Sequence, residues 1–336
     1  MKIALDAMGG DLAPEKIVKG AVEACDLYDD IEIVLVGRIA DINRELGDNY
    51  NRDRITILDA TEVIGMNESP SRAIRKKKDS SIVKGMDLVK ENQADAFISA
   101  GNTGAVMAAG LFRLGRLSGI KRPSILINFP NTSGRTIVLD NGANADSKPE
   151  HLLQFAIMGQ IYARDVLGID NSRVGLLSIG EEKEKGNQLV KESYPLFEND
   201  QRLKNFIGNV EGRDIFNGNC DIVICDGFVG NVVLKTTEGV ASFMLKLLRD
   251  AFSKNLRSKL GYLLLKPYLK PLKEKVDYRQ YGGAPLLGVN GVVIISHGSS
   301  DEFAVINAIK EAIKTVNNNV VETIEREINK DGETND

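Results

Sequence analysis

Six glycine-rich segments of this sequence carry the residue types that bind an oxyanion. Each follows a short apolar run and places asparagine, lysine, serine or aspartate next to glycine. They read DAMGGD (6–11), SAGNTGA (99–105), DNGANAD (140–146), SIGEEKEKGN (178–187), DGFVGN (226–231) and SHGSSD (296–301). Glycine lets backbone N–H groups approach a ligand, and the asparagine amide both donates and accepts hydrogen bonds. We therefore predict a shared cleft that holds an anion such as phosphate.

Lys185 and Asn231 are the two candidate catalytic residues. Lys185 stands just before Gly186 and Asn187, where a helical segment begins, so its ammonium group and the helix N-terminus could act on one anion. Neighbouring Lys183 is expected to be a solvated turn residue. Asn231 precedes a long helical segment, and its amide could donate to a developing oxyanion. The alternative for Asn231 is a helix N-cap, which stabilises a helix by about 1 kcal/mol.

A second group of residues is predicted to bind substrate. Its members are Asn102, Thr103, Gly104, Asn144, Gly186, Asn187, Gly230 and His297. Asparagine flanked by glycine also forms simple turns, which is the alternative for the asparagines. His297 either protonates a leaving group or makes a structural hydrogen bond to its own loop. Asp6 and Asp11 would repel a phosphate, so we expect them to orient backbone amides or lysines.

The sequence lacks the motifs of several common enzyme classes. No Rossmann fingerprint, P-loop, hydrolase nucleophile elbow or zinc-protease motif is present. Only two histidines occur, and the three cysteines show no metal-ligand spacing, so we expect a reduced, cytosolic protein with neither a metal nor a cofactor. The net charge of −4 gives no overall attraction to nucleic acid. A phosphate-using enzyme without a covalent nucleophile is consistent with what remains.

The elements that must position these residues form a repeating pattern. Short β-branched runs alternate with helix-like segments, which predicts a largely parallel α/β sheet with helices on both faces. In such a sheet the six segments lie beyond the carboxyl ends of the strands. We predict a single domain over residues 1–328 and a flexible tail over residues 329–336.

The resemblance of the chain to a known family rests on seven motifs in the same order. These motifs are DAMGGD, SAGNTGA, GANAD followed by KPEHL, KGN, DGFVGNVVLKTTEG, YGGAPLLG and HGSSD. Together they resemble the phosphate acyltransferase family of bacterial phospholipid synthesis, often called PlsX, from about residue 1 to residue 325. One departure lies in LDNGANAD, where Asn141 and Ala145 stand in place of the small or aliphatic residue expected there.

The resemblance implies a fold, a reaction and partners. The fold would be a three-layer α/β/α sandwich like that of phosphotransacetylase and the isocitrate and isopropylmalate dehydrogenases. The reaction would move a fatty acyl group reversibly from acyl carrier protein to inorganic phosphate, and the acyl-phosphate would serve the membrane glycerol-phosphate acyltransferase. The family's members are homodimers that lie peripherally on the inner face of the cell membrane. The KGN motif of the family corresponds to Lys185, which favours Lys185 as the catalytic cation.

Residues 242–278, named here the basic hairpin, interrupt the alternation. They read as two helical pieces with a break near residues 266–271, and basic residues far outnumber acidic ones. Exposed leucines beside lysines suit a membrane surface, and the same charges suit the acidic acyl carrier protein or a dimer interface. The candidate contact residues are Lys259, Tyr262, Leu263, Leu264, Leu265 and Lys266.

Two other functions compete with this interpretation. A phosphate acetyl- or butyryltransferase would use the same phosphate step with acyl-coenzyme A as the donor. A non-catalytic membrane-binding scaffold would not need six polar segments on one sheet edge.

Overall fold

The computed structural model describes residues 1–48, 50–276 and 278–330, without the side chains of residues 270–276, 278 and 281. Most of the predicted tail, residues 331–336, lies outside the described residues. The strands within them are β1 Lys2–Asp6, β2 Glu32–Gly37, β3 Ile55–Asp59, β4 Ala96–Ser99, β5 Ser124–Ile125, β6 Ile127–Pro130, β7 Arg135–Leu139, β8 Val174–Leu177, β9 Phe206–Val210, β10 Ile222–Ile224, β11 Ala284–Leu287 and β12 Val292–Ile295.

The α-helices alternate with these strands over most of the chain. They are α1 Glu15–Leu27, α2 Ile39–Leu46, α3 Pro70–Lys76, α4 Ser81–Lys90, α5 Thr103–Ala109, α6 Pro149–Asp165, α7 Gln188–Asn199, α8 Asp214–Asn217, α9 Gly227–Ser253, α10 Leu256–Val276, α11 Glu302–Asn317 and α12 Val320–Asn329. A π-helical turn, Gly110–Leu114, extends α5, and a 3₁₀ turn, Tyr278–Tyr281, leads into β11.

The strands form two mixed sheets. The first has the order β3-β2-β1-β4-β12-β11-β5, and the second has the order β6-β7-β10-β8-β9. The strands that pair in parallel are joined by helices, as right-handed crossovers require. β11 runs antiparallel to both β12 and β5, and β6 runs antiparallel to β7. The α/β prediction is therefore confirmed, but the chain divides its strands between two sheets rather than building one.

The division occurs inside one apolar run. The apolar run SILINF, residues 124–129, reads as a single strand by its length and composition, but Ser124 and Ile125 pair with β11 whereas Ile127 begins β6 of the second sheet. Leu126 is the only residue between them, and its N–H donates to the Pro285 carbonyl at 3.0 Å. The two sheets are thus joined at their edges by one residue.

Each sheet has an apolar core on both faces. The first sheet packs α1 and α11 on one face and α4 and α5 on the other, where Phe97 is fully buried. The second sheet packs α6 and α12 on one face and α8 and the start of α9 on the other. Burial of apolar surface at about 25 cal/mol per Å² is the main term that holds these layers together.

The basic hairpin is helical, but its predicted break is in the wrong place. α9 ends at Ser253 and α10 begins at Leu256, so the chain reverses at Lys254 and Asn255 and not near residues 266–271. The cause is a local cap: Asn255 Oδ1 accepts from the Ser258 N–H at 2.9 Å, and Ser258 Oγ accepts from the Asn255 N–H at 3.1 Å. These reciprocal bonds start a new helix at this point.

Candidate active site

A cleft of about 1040 Å³ lies between the ends of the two sheets. The first sheet contributes residues that follow β4 and β12, and the second contributes β6, the turn after β7 and one face of α9. Polar residues of the first sheet in the lining are Thr103, Ser296, His297, Ser299 and Ser300. Polar lining residues on the side of the second sheet and α9 are Asn128, Asn131, Thr132, Asn141, Asn231, Lys235, Thr237, Glu238 and Ser242, and Arg279 precedes β11. Four of the six predicted segments, 99–105, 140–146, 226–231 and 296–301, therefore contribute lining residues, whereas 6–11 and 178–187 do not.

Asp140 fixes the backbone of the turn after β7. Its buried carboxylate accepts hydrogen bonds from Asn144 N at 2.7 Å, Asn144 Nδ2 at 2.9 Å and Ile125 N at 2.9 Å. Burial raises the pKa of Asp140, and these hydrogen bonds lower it in part. The carboxylate thus holds the turn that presents Asn141 and Gly142 to the cleft.

Asp6 plays the corresponding part in the first sheet. Its buried carboxylate accepts from Ser99 Oγ at 2.7 Å and from Met8 N at 3.1 Å, and Ser99 Oγ accepts from Gly101 N at 3.0 Å. Burial raises the pKa of Asp6, and hydrogen bonds with Ser81, Ser99 and the backbone of Met8 and Gly9 lower it in part. Asp11 N donates to the Gly298 carbonyl at 2.7 Å, which joins this loop to the segment after β12. Both aspartates lie outside the cleft lining and organise loop backbone.

Asn231 lies in the cleft, in the second turn of α9. The N-cap of this helix is Asp226, whose side chain accepts from Val229 N at 2.9 Å, so the N-cap alternative for Asn231 is wrong. The preceding Gly230 packs so closely on the turn after β7 that a Cβ there would lie 1.9 Å from the Asp140 carbonyl oxygen. Only glycine permits this approach, and it brings Asn231 beside Gly142.

Three buried polar atoms in the cleft lining have no hydrogen-bond partner within the described part of the chain. They are Asn128 Oδ1, Asn141 Oδ1 and Ser296 Oγ. Each of these residues is more than nine-tenths buried. A buried polar group without a hydrogen bond costs about 1–3 kcal/mol of folding free energy, so these three atoms are candidates for contact with a ligand.

The sequence reasoning did not select these three residues as binding residues. Asn141 was noted only as a departure from the family pattern, and Asn128 and Ser296 stand within or beside apolar runs. The signal available for Ser296 was its place directly after an apolar strand, in the SHGSSD segment.

The predicted asparagines other than Asn231 are engaged in structural hydrogen bonds. Asn102 caps α5 by accepting from Ala105 N at 3.0 Å, and its Nδ2 donates to the Met66 carbonyl at 2.9 Å. Asn144 Nδ2 donates to the Pro123 carbonyl at 2.7 Å as well as to Asp140. Neither residue lines the cleft, whereas the neighbouring Thr103 and Gly104 do.

The KGN segment also lies outside the cleft lining. Lys185 is exposed, Gly186 has a positive φ of 105°, and Asn187 caps α7 by accepting from Val190 N at 3.0 Å. Lys183 forms an ion pair with Glu198 at 2.6 Å, so it is more than a solvated turn residue. The catalytic and binding roles predicted for this segment stay predictions.

Lys235 and His297 also line the cleft: sequence analysis did not select Lys235, and it left two roles open for His297. Lys235 lies one helical turn beyond Asn231 and pairs with Glu238 at 2.8 Å. His297 Nδ1 accepts from Ser299 N at 3.2 Å and lies 2.8 Å from Ser299 Oγ. His297 therefore has a loop contact as well as a place in the cleft lining, and its role as a proton donor stays a prediction.

The rest of the cleft wall is apolar. Ile127, Phe129 and Phe216 line it on the side of β6 and α8, and the rings of Phe129 and Phe216 meet edge to face with centroids 6.0 Å apart. On α9 the lining residues Leu234, Ala241 and Leu245 alternate with the polar lining residues Lys235, Thr237, Glu238 and Ser242. The cleft thus has an apolar wall on the side of β6 and α8 and a mixed wall along α9.

The basic hairpin exposes the residues that were predicted to make contacts. Leu263, Leu264 and Leu265 are exposed, as are Tyr262 and both flanking lysines. The Tyr262 ring lies 5.3 Å from the Phe252 ring, which joins α10 to α9. No helix in the described ranges has the length and apolar character needed to span a bilayer.

Metal binding finds no support in the residues that the structure describes. No group of three or more histidine, cysteine, aspartate or glutamate side chains is arranged there to hold an ion. The polar groups that line the cleft are amides and hydroxyls together with Lys235, Glu238, Arg279 and His297.

The family model and the similar sequences that match this chain agree with one another. Residues 1–323 match the family described as fatty acid synthesis protein. A phosphate acyltransferase of Halothermothrix orenii is 65% identical over 334 residues, which cover 99% of this chain and 100% of that protein. A phosphate acyltransferase of Desulfitobacterium hafniense is 53% identical over 329 residues and 98% of each chain.

Comparison with solved structures identifies the fold. A phosphotransacetylase from Streptococcus pyogenes superimposes with a TM-score of 0.61 at 18% identity, covering 96% of this chain and 94% of that one. The EutD phosphotransacetylase from Staphylococcus aureus gives a TM-score of 0.60 at 15% identity, covering 95% and 94%. The predicted phosphotransacetylase-like fold is therefore confirmed.

Proposed function

The chain belongs to the fatty acid synthesis protein family and is a phosphate acyltransferase, and from this premise we propose that it moves a fatty acyl group from acyl carrier protein to inorganic phosphate. The product is an acyl-phosphate for phospholipid synthesis. The transfer is direct, without an acyl-enzyme.

The observation that carries the proposed chemistry is the set of unpartnered buried atoms in the cleft. Ser296 Oγ can donate a hydrogen bond to a phosphate oxygen from the first sheet. On the second sheet, Asn128 Oδ1 and Asn141 Oδ1 can accept hydrogen bonds from N–H groups of a substrate or from a protonated phosphate oxygen. A substrate held in the cleft can supply hydrogen-bond partners for such atoms and so recover part of the free energy that their burial costs.

The reaction needs positioning more than activation. A phosphate oxygen attacks the thioester carbonyl carbon, the C–O bond forms, and the C–S bond breaks as the thiolate leaves. One proton passes from the phosphate to the departing sulfur, so the atoms and charges balance. Phosphate is already a nucleophile and a thiolate leaves readily, so holding the two reactants together supplies much of the rate.

Asn231 is the proposed donor to the developing oxyanion. Its amide lies in the cleft beside the turn held by Asp140. Lys185 remains the proposed catalytic cation, since an exposed lysine on a short loop can turn towards a bound anion. Lys235 is a second cation for the phosphate, because it already lines the cleft.

The apolar lining of the cleft supports a fatty acyl donor rather than an acetyl donor. The lining face of α9 extends 14 residues from Asn231 to Leu245, which is roughly 21 Å of helix. An acetyl group would leave the apolar lining residues Leu234, Ala241 and Leu245, and Phe129 and Phe216 opposite, in contact with water, whereas a long acyl chain would cover them.

We further propose a homodimer that lies peripherally on the inner face of the cell membrane. The exposed leucines of the basic hairpin beside Lys259 and Lys266 support the membrane contact, because apolar side chains with a basic rim bind anionic lipid surfaces. The glycerol-phosphate acyltransferase of the membrane would then receive the product.

One assay tests the donor and the reaction together. Purified enzyme is mixed with inorganic phosphate and either acyl-acyl carrier protein or acyl-coenzyme A, and release of free thiol and formation of acyl-phosphate are followed. We expect phosphate-dependent release from the carrier protein at the higher kcat/KM. Faster turnover of acetyl-coenzyme A would instead indicate a phosphate acetyltransferase, and no release from any donor would support a non-catalytic protein.

A further inference from the structure

A strongly basic surface segment lies beside the cleft and has no part in the site described above. Residues 72–78 contain Arg72, Arg75, Lys76, Lys77 and Lys78 and no acidic residue, in a chain whose net charge is −4. We name these five side chains the basic cluster. They create a local positive field on a protein that is otherwise slightly acidic.

Most of the basic cluster is exposed on one face of α3 and the turn after it. Ala73 and Ile74 are buried on the opposite face of the helix. Arg72, Lys76 and Lys78 are exposed, and within the described residues no carboxylate lies within 4 Å of them. Lys77, by contrast, is held by Glu68 at 2.5 Å. Three of the five charges are therefore available to a partner.

Two apolar side chains accompany the exposed charges. The Arg75 guanidinium lies 5.5 Å from the centre of the Phe112 ring, and Phe112 is 54% exposed. Met66, four residues before α3, is 45% exposed. An apolar centre with arginine and a charged rim is the usual composition of a protein interface.

Contacts at and before the start of α3 place Pro70 and Met66 beside residues of the cleft lining, and the basic cluster begins two residues after Pro70. A Cβ on Gly104, which lines the cleft, would lie 2.6 Å from Pro70 Cγ, the first residue of α3. A Cβ on Gly298, between the lining residues His297 and Ser299, would lie 3.1 Å from Met66 Cε. The basic cluster is thus within a few residues of the loops where the thioester must react.

We propose that the basic cluster, with Met66 and Phe112, is the surface on which the acidic acyl carrier protein docks to deliver its thioester. The proposal rests on the proposed function, since it presumes an acyl donor that is carried on a protein. A protein-borne thioester enters the cleft only if its carrier rests at the mouth, and the charges there have the sign that attracts it. A membrane is the less suitable occupant, because the larger exposed apolar surface lies on the basic hairpin.

The test removes charge from the basic cluster and compares a protein donor with an uncharged one. The variant Arg72→Gln/Lys76→Gln/Lys78→Gln is assayed with acyl-acyl carrier protein and with an acyl-pantetheine thioester, which bears no charge. The matched control is Lys90→Gln/Lys191→Gln/Lys310→Gln, which loses three exposed charges outside the cleft lining. A third variant, Lys254→Gln/Lys259→Gln/Lys266→Gln, removes three charges from the basic hairpin.

We expect the KM for acyl-acyl carrier protein to rise about tenfold in the cluster variant, with weaker dependence on salt. Turnover of acyl-pantetheine should stay at the wild-type value, which also shows that the variant is folded. The control variant should match the wild type with both donors.

Each other outcome counts against the docking surface. An unchanged KM in the cluster variant, or a larger rise in the hairpin variant, would assign the carrier protein elsewhere. A cluster variant that loses only vesicle binding would make the surface a lipid contact. If the wild-type enzyme itself fails to use acyl-acyl carrier protein, the proposed function fails first, and the docking surface with it.

Discussion

The carboxylate of Asp140 binds Asn144 twice, accepting one hydrogen bond from its backbone N–H at 2.7 Å and one from its side-chain Nδ2 at 2.9 Å. The same carboxylate accepts from Ile125 N, at the edge where the chain leaves the first sheet for the second. A single buried group therefore holds both the cleft turn and the junction between the sheets.

Replacing Asp140 with alanine should damage both stability and phosphate binding. Its loss leaves several buried donors unsatisfied at about 1–3 kcal/mol each, so we expect the free energy of unfolding to fall by about 3 kcal/mol. The KM for phosphate should rise because the turn beside Asn231 loses its support. Urea unfolding and initial rates at varied phosphate measure the two effects. Asp140→Asn keeps one acceptor, so its stability and its KM for phosphate should lie between those of the wild type and of Asp140→Ala. A wild-type KM for phosphate in Asp140→Ala would show that Asp140 does not support the site.

Alanine variants of Asn231 and Asp226 should show different defects, one in catalysis and the other in helix capping. Asn231→Ala should lower kcat by about 10²–10³-fold with an unchanged melting temperature, as expected for loss of one oxyanion donor. Asp226→Ala should instead cost about 1 kcal/mol of stability with a much smaller change in kcat, because it removes the cap of α9. Thermal unfolding followed by circular dichroism and a thiol-release assay measure both. If the Asn231 variant is merely less stable, its assignment as a donor is wrong.

The two lysine candidates differ in where the structure puts them. Lys185→Ala should abolish acyl-phosphate formation while the protein stays folded, if the exposed KGN loop turns to the anion. Lys235→Ala should raise the KM for phosphate and leave a measurable kcat, because its side chain already lines the cleft. Lys191→Ala, an exposed lysine on α7, is the control. Near-normal turnover of the Lys185 variant together with an inactive Lys235 variant would transfer the catalytic role to Lys235.

Glu302 should make the stability of the first sheet sensitive to acid. A hydrogen bond from Lys19 at 2.8 Å, with further help from its own backbone N–H and from Lys16, lowers the pKa of Glu302 from 4.5 to about 2. Because the folded pKa is the lower one, this stabilisation is complete above pH 4.5 and is lost as the pH falls through 2. Glu302→Gln should therefore melt below the wild type at pH 7 and close to it at pH 2. A melting difference that does not change with pH would contradict the prediction.

The basic hairpin should bind vesicles through its leucines. Leu264, which is 69% exposed, is replaced with glutamate, and co-sedimentation with anionic vesicles is compared with the wild type. We expect the bound fraction to fall several-fold, since a buried charge at the lipid boundary is costly. Leu27→Glu is the control, because Leu27 is 63% exposed but lies on α1. Equal binding by the Leu264 variant and the wild type would argue against a membrane contact.

The alternation of apolar runs was enough to predict most strands, because β-branched residues between glycine-rich turns have few other solutions. β11 was missed since Pro285 removes a backbone donor and makes APLL look unlike an inner strand. The sequence also did not predict that SILINF is divided between two sheets, because an apolar run does not specify the strands with which its residues pair. Pairing is decided by contacts far away in the sequence.

The candidate site was predicted in part. Local chemistry pointed to Asn231 and His297, and both lie in the cleft. Asn102 and Asn187 were chosen on the same grounds, yet their side chains cap helices, since glycine-flanked asparagine suits both tasks. Asn128 and Ser296 were identified only from the structure, because both are buried and each has a side-chain oxygen without a hydrogen-bond partner among the described residues. Those are properties of tertiary packing and have no signature in the local sequence.

The 27 residues of α9 form one rod of roughly 40 Å that begins under the Asp140 turn and ends at the reversal of the hairpin. Asn231 and Leu245, which line the cleft, therefore belong to the same continuous helix as the reversal of the hairpin. Under the proposed function, this helix would lead the acyl-phosphate from the reacting atoms towards the exposed leucines of the basic hairpin.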